Sequence, residues 1–350
     1  MILQEITSTR HNHHVDPTLM VWEWEIPVYL FVGGLVAGMM IIAGLNMLRL
    51  AKGERSQGFY SVQSPILGFL LMNLGMLALF LDLEHKLYVY RVYMAFEPSS
   101  PMSWGSWILL LVYPVLLLSA LIRLPQAWPW LGGHIPVLQR LSERLTATTR
   151  AIKIFGYANV GLGIGLGIYT GILLSTMVSR PLWNSAILGP LFLVSGLSTA
   201  AAAIHLVSSL TRRGPAPSGF IGGALAALVQ PLGDNPPGPG TEETLVRTDQ
   251  IFLSVELVLI GLLFVGLLSG SASQIAAVDV LMSGKYALVF WGGVITLGIA
   301  TPLALQGLEL KHRIRHTIIP AILVLAGGFA LRWVMVGAGQ ASWMVAAIGM

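Results

Sequence analysis

Residues 26–50 read IPVYLFVGGLVAGMMIIAGLNMLRL, and this apolar run decides the class of fold. Arg49 is the only charged residue in it. About 20 apolar residues are enough for a helix to cross a hydrocarbon core. A helix satisfies its own backbone hydrogen bonds in lipid, and the run lacks the two-residue alternation of a barrel strand. It therefore predicts a transmembrane helix.

Seven further stretches of similar character follow this one. The chain is 55% hydrophobic and 10% charged, with a mean hydropathy of +0.75, whereas a soluble domain is about 25% charged. We therefore predict an all-α integral membrane protein with eight transmembrane helices. The predicted spans are Ile26–Leu50, Val62–Leu81, Trp107–Leu124, Ile152–Val178, Leu188–Leu210, Ile251–Ser269, Tyr286–Gln306 and Thr317–Val336.

The distribution of Lys and Arg predicts the orientation of these helices. Of the 20 basic residues, 14 fall in or beside the loops that follow the first, third, fifth and seventh helices. Loops rich in Lys and Arg stay in the cytoplasm. Both termini and the loop after the second helix are therefore predicted to face outward, which in a bacterium is the periplasm.

A weak internal sequence similarity, here called the echo, suggests that the chain consists of two halves. Leu30–Leu35 in the first helix resembles Phe192–Leu197 in the fifth. We predict two four-helix bundles related as a parallel repeat, with the glycines of these segments allowing close helix packing. The predicted segments are 1–25 (periplasmic), 26–178 (first bundle), 179–210 (fifth helix with its preceding loop), 211–248 (Gly/Pro-rich cytoplasmic loop, with Phe220–Val229 interfacial) and 249–350 (helices six to eight).

The loop between the second and third helices concentrates polar chemistry. Residues 81–107 read LDLEHKLYVYRVYMAFEPSSPMSWGSW. Such a loop at a lipid–water interface can hold a polar headgroup, although a solvated loop with an aromatic belt gives the same pattern. Its ionisable and aromatic side chains are Asp82, Glu84, His85, Lys86, Tyr88, Tyr90, Arg91, Tyr93, Phe96 and Glu97.

Three polar groups are predicted to meet on the outward side of the membrane. A quinone headgroup needs hydrogen-bond donors for two oxygens, acceptors for the protons of the quinol and apolar walls for its tail. His, Tyr and Asp side chains inside an aromatic rim meet those needs. The three groups are the segment from His11 to Glu25, the 81–107 loop, and Tyr169 and Thr170 with the loop Arg180–Asn184.

Three ionisable residues fall well inside predicted spans, away from the span ends, where charges are costly and often functional. Glu256 is predicted roughly 7 Å inside the cytoplasmic end of the sixth helix, with His205 at a similar depth in the fifth. Arg332 falls in the outer half of the eighth helix. We predict that Glu256, His205 and Arg332 form a proton pathway from the headgroup towards the cytoplasm; charges that only bridge helices would give the same pattern.

The cofactor chemistry is limited by residue types. The chain has no cysteine, which excludes thiolate ligands for iron–sulfur clusters or zinc and a CxxCH haem attachment. His205 is the only histidine well inside a predicted span, so two axial ligands for haem b are lacking. We expect no haem, iron–sulfur cluster or metal site in this chain, and quinone (menaquinone or ubiquinone) as a bound substrate.

Several motifs of the first half resemble the NrfD/PsrC-like proteins, the membrane subunits of polysulfide reductase and related complexes. Their order along the chain matches as well as their content. The second half matches only in helix number and in the echo. The motifs are WEWEIPVYLF at 22–31, followed by Gly33-Gly34 and Ala37-Gly38, then Asp82-Leu83, SPMSWGSW at 100–107, Tyr169-Thr170-Gly171 and RPLWN at 180–184.

The resemblance implies a haem-free subunit of a respiratory complex in the bacterial cytoplasmic (inner) membrane. Such a subunit exchanges electrons between the quinone pool and a periplasmic, ferredoxin-like iron–sulfur partner, which serves a catalytic subunit that is often a molybdenum enzyme. It places the quinone near the periplasmic face, with Tyr169 as headgroup donor. Our candidate catalytic residues are Tyr169, Asp82 and His85, and the candidate quinone-binding residues are Tyr169, His14, Asn12, Asp82, Trp24 and Met102.

Two other functions fit parts of the sequence. Repeated bundles with buried charges also suit a secondary transporter, but broken helices and polar side chains near the midplane are then expected. Here the polar groups gather at one face. A purely structural membrane anchor for partner subunits would require neither Tyr169 nor Glu256.

Overall fold

The computed structural model describes residues 22–53, 58–127, 135–210, 239–313 and 317–342. Every regular element in these ranges is helical. In chain order the α-helices are α1 (Glu25–Leu50), α2 (Gly58–Asp82), α3 (Tyr90–Met94), α4 (Pro101–Ala127), α5 (Pro136–Thr146), α6 (Thr149–Ser175), α7 (Leu188–Leu210), α8 (Pro239–Leu268), α9 (Ala272–Met282), α10 (Thr301–Leu310) and α11 (Ile319–Ala341). A short 3₁₀ helix, Lys86–Tyr88, precedes α3, and a π-helix, Val289–Ala300, precedes α10.

Eight helical segments in the described ranges are long and apolar enough to cross a membrane. The prediction of eight transmembrane helices is confirmed, and the protein is a multi-pass membrane protein. The division into two four-helix bundles and the outward termini stay predictions. The segments lie in α1, α2, α4, α6, α7, α8, the π-helix continued by α10, and α11.

Two helices begin earlier than the apolar pattern predicts. The helix α4 begins at Pro101, because proline at the first helical position needs no backbone donor. The helix α8 begins at Pro239, within the segment predicted as a loop. Its first turns are polar and carry an ion pair of 2.6 Å between Glu243 and Arg247, so hydropathy detects only the later turns. The segment Phe220–Val229 lies outside the described residues.

The seventh crossing changes helix type halfway. Residues Val289–Ala300 are a π-helix, and the Thr296 hydroxyl donates to the carbonyl of Trp291, five residues earlier, at 2.8 Å. At the same level, a Cβ on Gly298 or Gly327 would overlap the other residue's backbone. Glycine at both positions therefore allows this crossing to touch α11 directly.

The helix α1 lies at the centre of the molecule and packs against α2, α6, α7 and α11. Where α1 crosses α7, the two segments of the echo, Leu30–Leu35 and Phe192–Leu197, pack against each other. A Cβ built on Gly196 would lie 2.5 Å from the carbonyl oxygen of Gly34. Gly34 and Gly196 of the echo therefore serve helix packing, as predicted, and they bring the backbones of the two halves into contact.

One end of the molecule, here called the Trp22 end, is fastened by polar contacts. The side-chain amide of Gln340 accepts from the backbone N–H of Trp22 and donates to its carbonyl, both at 2.9 Å. The Arg180 guanidinium donates to the carbonyls of Gln340 and Ser342 at 2.7 and 3.0 Å. The Trp183 indole lies beside that of Trp22. The RPLWN motif therefore joins the loop after α6 to the end of α11.

Candidate functional site

Tyr169 lies near the C-terminal end of α6 and is buried at the Trp22 end. Its ring rests on the backbone of Gly105 in α4, where any Cβ would overlap both the ring and the hydroxyl. Glycine at position 105 therefore makes the space that Tyr169 occupies. The Tyr169 hydroxyl makes no hydrogen bond to another residue of the described ranges, so it is available to a ligand.

Four phenol side chains converge on this point from α1, α3, α4 and α6. Tyr29 of α1 is buried and lies within electrostatic range of both Tyr169 and Tyr93. Tyr113 of α4 lies within electrostatic range of Tyr93. Burial raises the pKa of Tyr93 above its usual value, so its hydroxyl keeps its proton at neutral pH. The cluster is therefore rich in hydrogen-bond donors and bounded by aromatic carbon.

Three carboxylates lie together at the Trp22 end. Asp82, the last residue of α2, is within electrostatic range of Glu25 and Glu23 at the start of α1. The Oε2 atom of Glu25 is buried and has no hydrogen-bond partner in the described ranges. None of the three makes an ion pair with a described Lys or Arg. They are therefore placed to accept protons at the same end of the molecule as Tyr169.

The structure distributes the other predicted headgroup residues differently. Met102 lies one turn before Gly105 on α4 and is 55% exposed. His85 lies in the exposed loop, against the ring of Tyr88. Trp24 lines a separate cavity of about 390 Å³, bordered by the end of α11. Asn12 and His14 lie outside the described residues.

Two of the three predicted pathway residues are joined by a hydroxyl. The Arg332 guanidinium is completely buried and donates to Ser195 Oγ, and the same hydroxyl hydrogen-bonds the Glu256 carboxylate. Arg332 also donates to the carbonyl of Phe192 at 3.0 Å. A Cβ on Gly34 of α1 would lie 3.1 Å from the guanidinium. Arg332 therefore sits between the central helix α1 and the carboxylate of α8.

A second buried carboxylate continues this polar row, and sequence reasoning missed it. Asp249 accepts from the Ser198 hydroxyl at 2.8 Å and from the Gln306 amide at 2.6 Å. It lies seven residues before Glu256 on α8 and interacts with it electrostatically. A spacing of seven places both carboxylates on one helix face. That spacing was the available signal, but the predicted span began two residues after Asp249.

The structure places Glu256 and His205 at different levels along their helices. Because α8 begins at Pro239, the candidate span is Glu243–Leu268 and Glu256 lies at its middle. His205 lies two residues from the end of the Leu188–Val207 span, so the two residues are not at similar depth. His205 is buried, roughly 15 Å along α7 from Ser195. Asp249 lies nearer to the level of His205, because its contact on α7 is Ser198.

Within the described ranges, no group of three or more His, Asp or Glu side chains is arranged to hold a metal ion. Buried polar groups in the first half include Asn159, whose amide donates to the Ser119 hydroxyl at 2.8 Å. Its carbonyl oxygen has no described partner. This amide lies roughly 15 Å below Tyr169 on the same helix.

Comparison with known proteins gives concordant matches. A family model described as "Polysulphide reductase, NrfD" matches residues 9–344. The chain is 32% identical over 329 residues to a polysulfide reductase protein of Wolinella succinogenes, covering 92% of this chain and 95% of that protein. It is 29% identical over 336 residues to protein NrfD of Escherichia coli, with the same coverage. It is 25% identical over 344 residues to a selenate reductase subunit of Mesobacillus selenatarsenatis, covering 90% of this chain and 73% of that protein.

Proposed function

The chain belongs to the NrfD family, and on that premise we propose that it is the quinone-reactive membrane subunit of a reductase complex. Two of the similar proteins are components of a polysulfide reductase and of a selenate reductase. By analogy, this chain works with an iron–sulfur subunit and a catalytic subunit on the periplasmic side of the bacterial inner membrane. It exchanges electrons between the membrane quinone pool and the iron–sulfur subunit.

The observation that carries the proposal is the unpartnered hydroxyl of Tyr169. The Tyr169 side chain is buried as a whole, but its hydroxyl is not among the atoms that the protein seals from its surroundings, so a ligand can reach it. Gly105 makes room for its ring, Tyr29 lies within electrostatic range of it, and the carboxylates of Asp82 and Glu25 lie at the same end of the molecule. A quinone oxygen would supply the missing partner, and the aromatic rings would flank the headgroup.

In this proposal, Tyr169 orients the quinol, and Asp82 and Glu25 accept its protons. Oxidation of a quinol releases two protons and two electrons. The Tyr169 hydroxyl donates to one oxygen and orients the ring. Asp82 and Glu25 each accept one of the two hydroxyl protons, and the two electrons pass to the iron–sulfur cluster of the partner subunit. In the reverse direction the same groups return protons to the quinone.

The connection between α2 and α4 supplies the docking surface in this proposal. Its side chains at Leu87, Met94 and Phe96 are exposed, and Glu97 adds a negative charge. Hydrogen bonds from Ser99 lower the pKa of Glu97, so it stays ionised at neutral pH. This surface lies beside the phenol cluster, which keeps the electron path from quinone to partner short.

The buried row on α7, α8 and α11 supports a second element of the proposal, a proton link towards the cytoplasm. Arg332, Ser195 and Glu256 form its central part, and Asp249 with Ser198 and Gln306 continues it. Ionisable groups inside a membrane-spanning region are energetically costly, and they are therefore candidates for a function. The carboxylates can relay protons, and the fixed charge of Arg332 opposes passage of other cations.

The purified complex tests the main proposal. We expect it to contain bound quinone after extraction and to reduce the partner's iron–sulfur clusters when quinol is added under anaerobic conditions. Absence of both, in a complex that still contains all subunits, would support the structural-anchor function. Quinone-independent uptake of a solute in proteoliposomes would support a transporter.

A further inference from the structure

The helix α5 has one apolar face and one polar face. It follows α4 at the end of the molecule opposite to Trp22, here called the α5 end. Ser142 is buried and its hydroxyl donates to the carbonyl of Ile122 at 2.6 Å, which ties α5 to α4. Val137 and Leu141, by contrast, are 69% and 36% exposed. The apolar face is therefore buried along the edge that holds Ser142 and open to the surroundings along the edge that holds Val137 and Leu141.

Charged residues of α5 lie at the boundary of its exposed apolar side. At 100° per residue, Arg144 and then Arg140 lie along one edge of the strip formed by Val137 and Leu141. Glu143 lies further round and accepts from the Gln139 amide at 3.0 Å, and neither arginine makes an ion pair with a described residue. An amphipathic helix of this pattern lies in the membrane interface, with its basic residues at the level of the lipid phosphates.

An apolar cavity of about 230 Å³ opens beside α5. It lies between α1, α4, α5 and α6 and is lined by Met47, Ile122, Leu145 and Phe155 among others. The lining is mostly hydrocarbon, so the cavity suits an acyl chain better than a polar solute.

Basic residues gather at the ends of the helices that line this cavity. Several basic residues stand within two positions of its lining residues in the sequence, and all of them are exposed. None of them makes an ion pair with a described residue. These basic residues are Arg49, Lys52, Arg144, Arg150 and Lys153.

We propose that this site binds an anionic phospholipid, with one acyl chain in the cavity and its phosphate against Arg144 and Arg150. An unpaired basic cluster over an apolar slot between membrane helices is the arrangement that recognises acidic lipid headgroups. A zwitterionic lipid would bring its own ammonium group into this cluster and would bind less tightly. The inference is independent of the quinone site, which lies at the Trp22 end.

The test is lipid binding to the full-length protein, purified and delipidated in detergent and followed by native mass spectrometry. The probes are phosphatidylglycerol, diphosphatidylglycerol and phosphatidylethanolamine, added separately. We expect wild type to prefer the two anionic lipids by roughly tenfold or more, since each nearby basic residue contributes about 1 kcal/mol. Inorganic phosphate at the same concentration should not displace them.

Two variants distinguish binding of the lipid headgroup from binding of its acyl chain. The double variant Arg144→Gln, Arg150→Gln should lose most of the preference for anionic lipid, whereas Leu145→Phe, which fills the cavity, should weaken binding of every phospholipid. Arg247→Gln, an exposed arginine paired with Glu243, is the matched control and should behave as wild type. The proposal is overturned if wild type binds the three lipids equally, if the double variant keeps the preference, or if phosphate alone displaces the lipid.

Discussion

The ring of Tyr169 occupies the volume that a side chain at position 105 would fill. Tyr169 and Gly105 belong to α6 and α4, and neither helix could hold the phenol in this position alone. The geometry links a glycine with no chemistry of its own to the proposed headgroup donor. The Tyr169 hydroxyl can therefore be perturbed in two independent ways, by substituting Tyr169 itself or by substituting Gly105.

Tyr169→Phe tests the hydroxyl itself. The change removes one oxygen and almost no volume, so assembly should survive. Loss of a hydrogen bond to the quinone should cost roughly 1–3 kcal/mol, or about 5- to 150-fold in quinone affinity. The measurement is the KM for quinol in the purified complex. Wild-type kinetics in a fully assembled variant would remove Tyr169 from the site.

Gly105→Ala tests the space around the ring. The added methyl group must displace Tyr169 or separate α4 from α6, at a cost of about 1–3 kcal/mol in stability. Quinol-dependent activity should fall at least as far as in Tyr169→Phe. Gly161→Ala on α6 is the control, because nothing lies within 4 Å of its Cβ position. Equal activity of the two alanine variants would contradict the proposed coupling.

Glu256→Gln tests the proton link. It keeps the size of the side chain and removes the charge that hydrogen-bonds Ser195 and lies within electrostatic range of Arg332. We expect assembly and quinone binding to be retained, while turnover no longer moves protons across the membrane. The measurement is quinone-linked turnover in sealed proteoliposomes with an internal pH-sensitive dye. Glu243→Gln, an exposed carboxylate on the same helix, is the control.

Two results would reject this link. One is a wild-type complex that moves only the protons of the scalar quinone reaction. The other is a Glu256→Gln variant that moves as many protons as wild type. In either case Glu256 would be a structural charge that holds α7, α8 and α11 together.

Crosslinking tests the docking surface. A photoreactive amino acid placed at Leu87 or Met94, both strongly exposed, should capture the iron–sulfur subunit in membranes. The same probe at Val137 of α5, which is also exposed, serves as the control at the opposite end. Capture from Val137 but not from Leu87 or Met94 would reverse the predicted orientation.

Gly196→Ala tests the crossing between the echoed segments. Its Cβ would lie 2.5 Å from the Gly34 carbonyl oxygen, so α1 and α7 must separate. We expect a loss of roughly 1–3 kcal/mol, seen as a lower midpoint of thermal unfolding in detergent. Gly33→Ala should have little effect, since nothing lies within 4 Å of that Cβ position. If the two variants have the same midpoint of thermal unfolding, the crossing of α1 and α7 does not limit the stability of the protein.

The sequence by itself determined the number and type of the membrane helices. A stretch such as 26–50 can satisfy its backbone in lipid only as a helix, and this holds without any knowledge of its neighbours. It also determined the family, since motifs such as WEWEIPVYLF and SPMSWGSW are local. Helix starts were less well predicted where polar turns precede the apolar span, as at Pro239.

Only the tertiary structure decided which polar side chains meet. Tyr29, Tyr93 and Tyr169 come from different helices, and the row from Arg332 to Asp249 joins residues more than eighty positions apart. It also assigned RPLWN to fastening the end of α11, where Trp183 donates to the Met335 carbonyl at 2.7 Å. Hydropathy reports the preference of each segment for lipid, whereas these contacts depend on helix rotation and depth. Close packing at glycines such as Gly34 and Gly196 sets both the rotation and the depth of the helices.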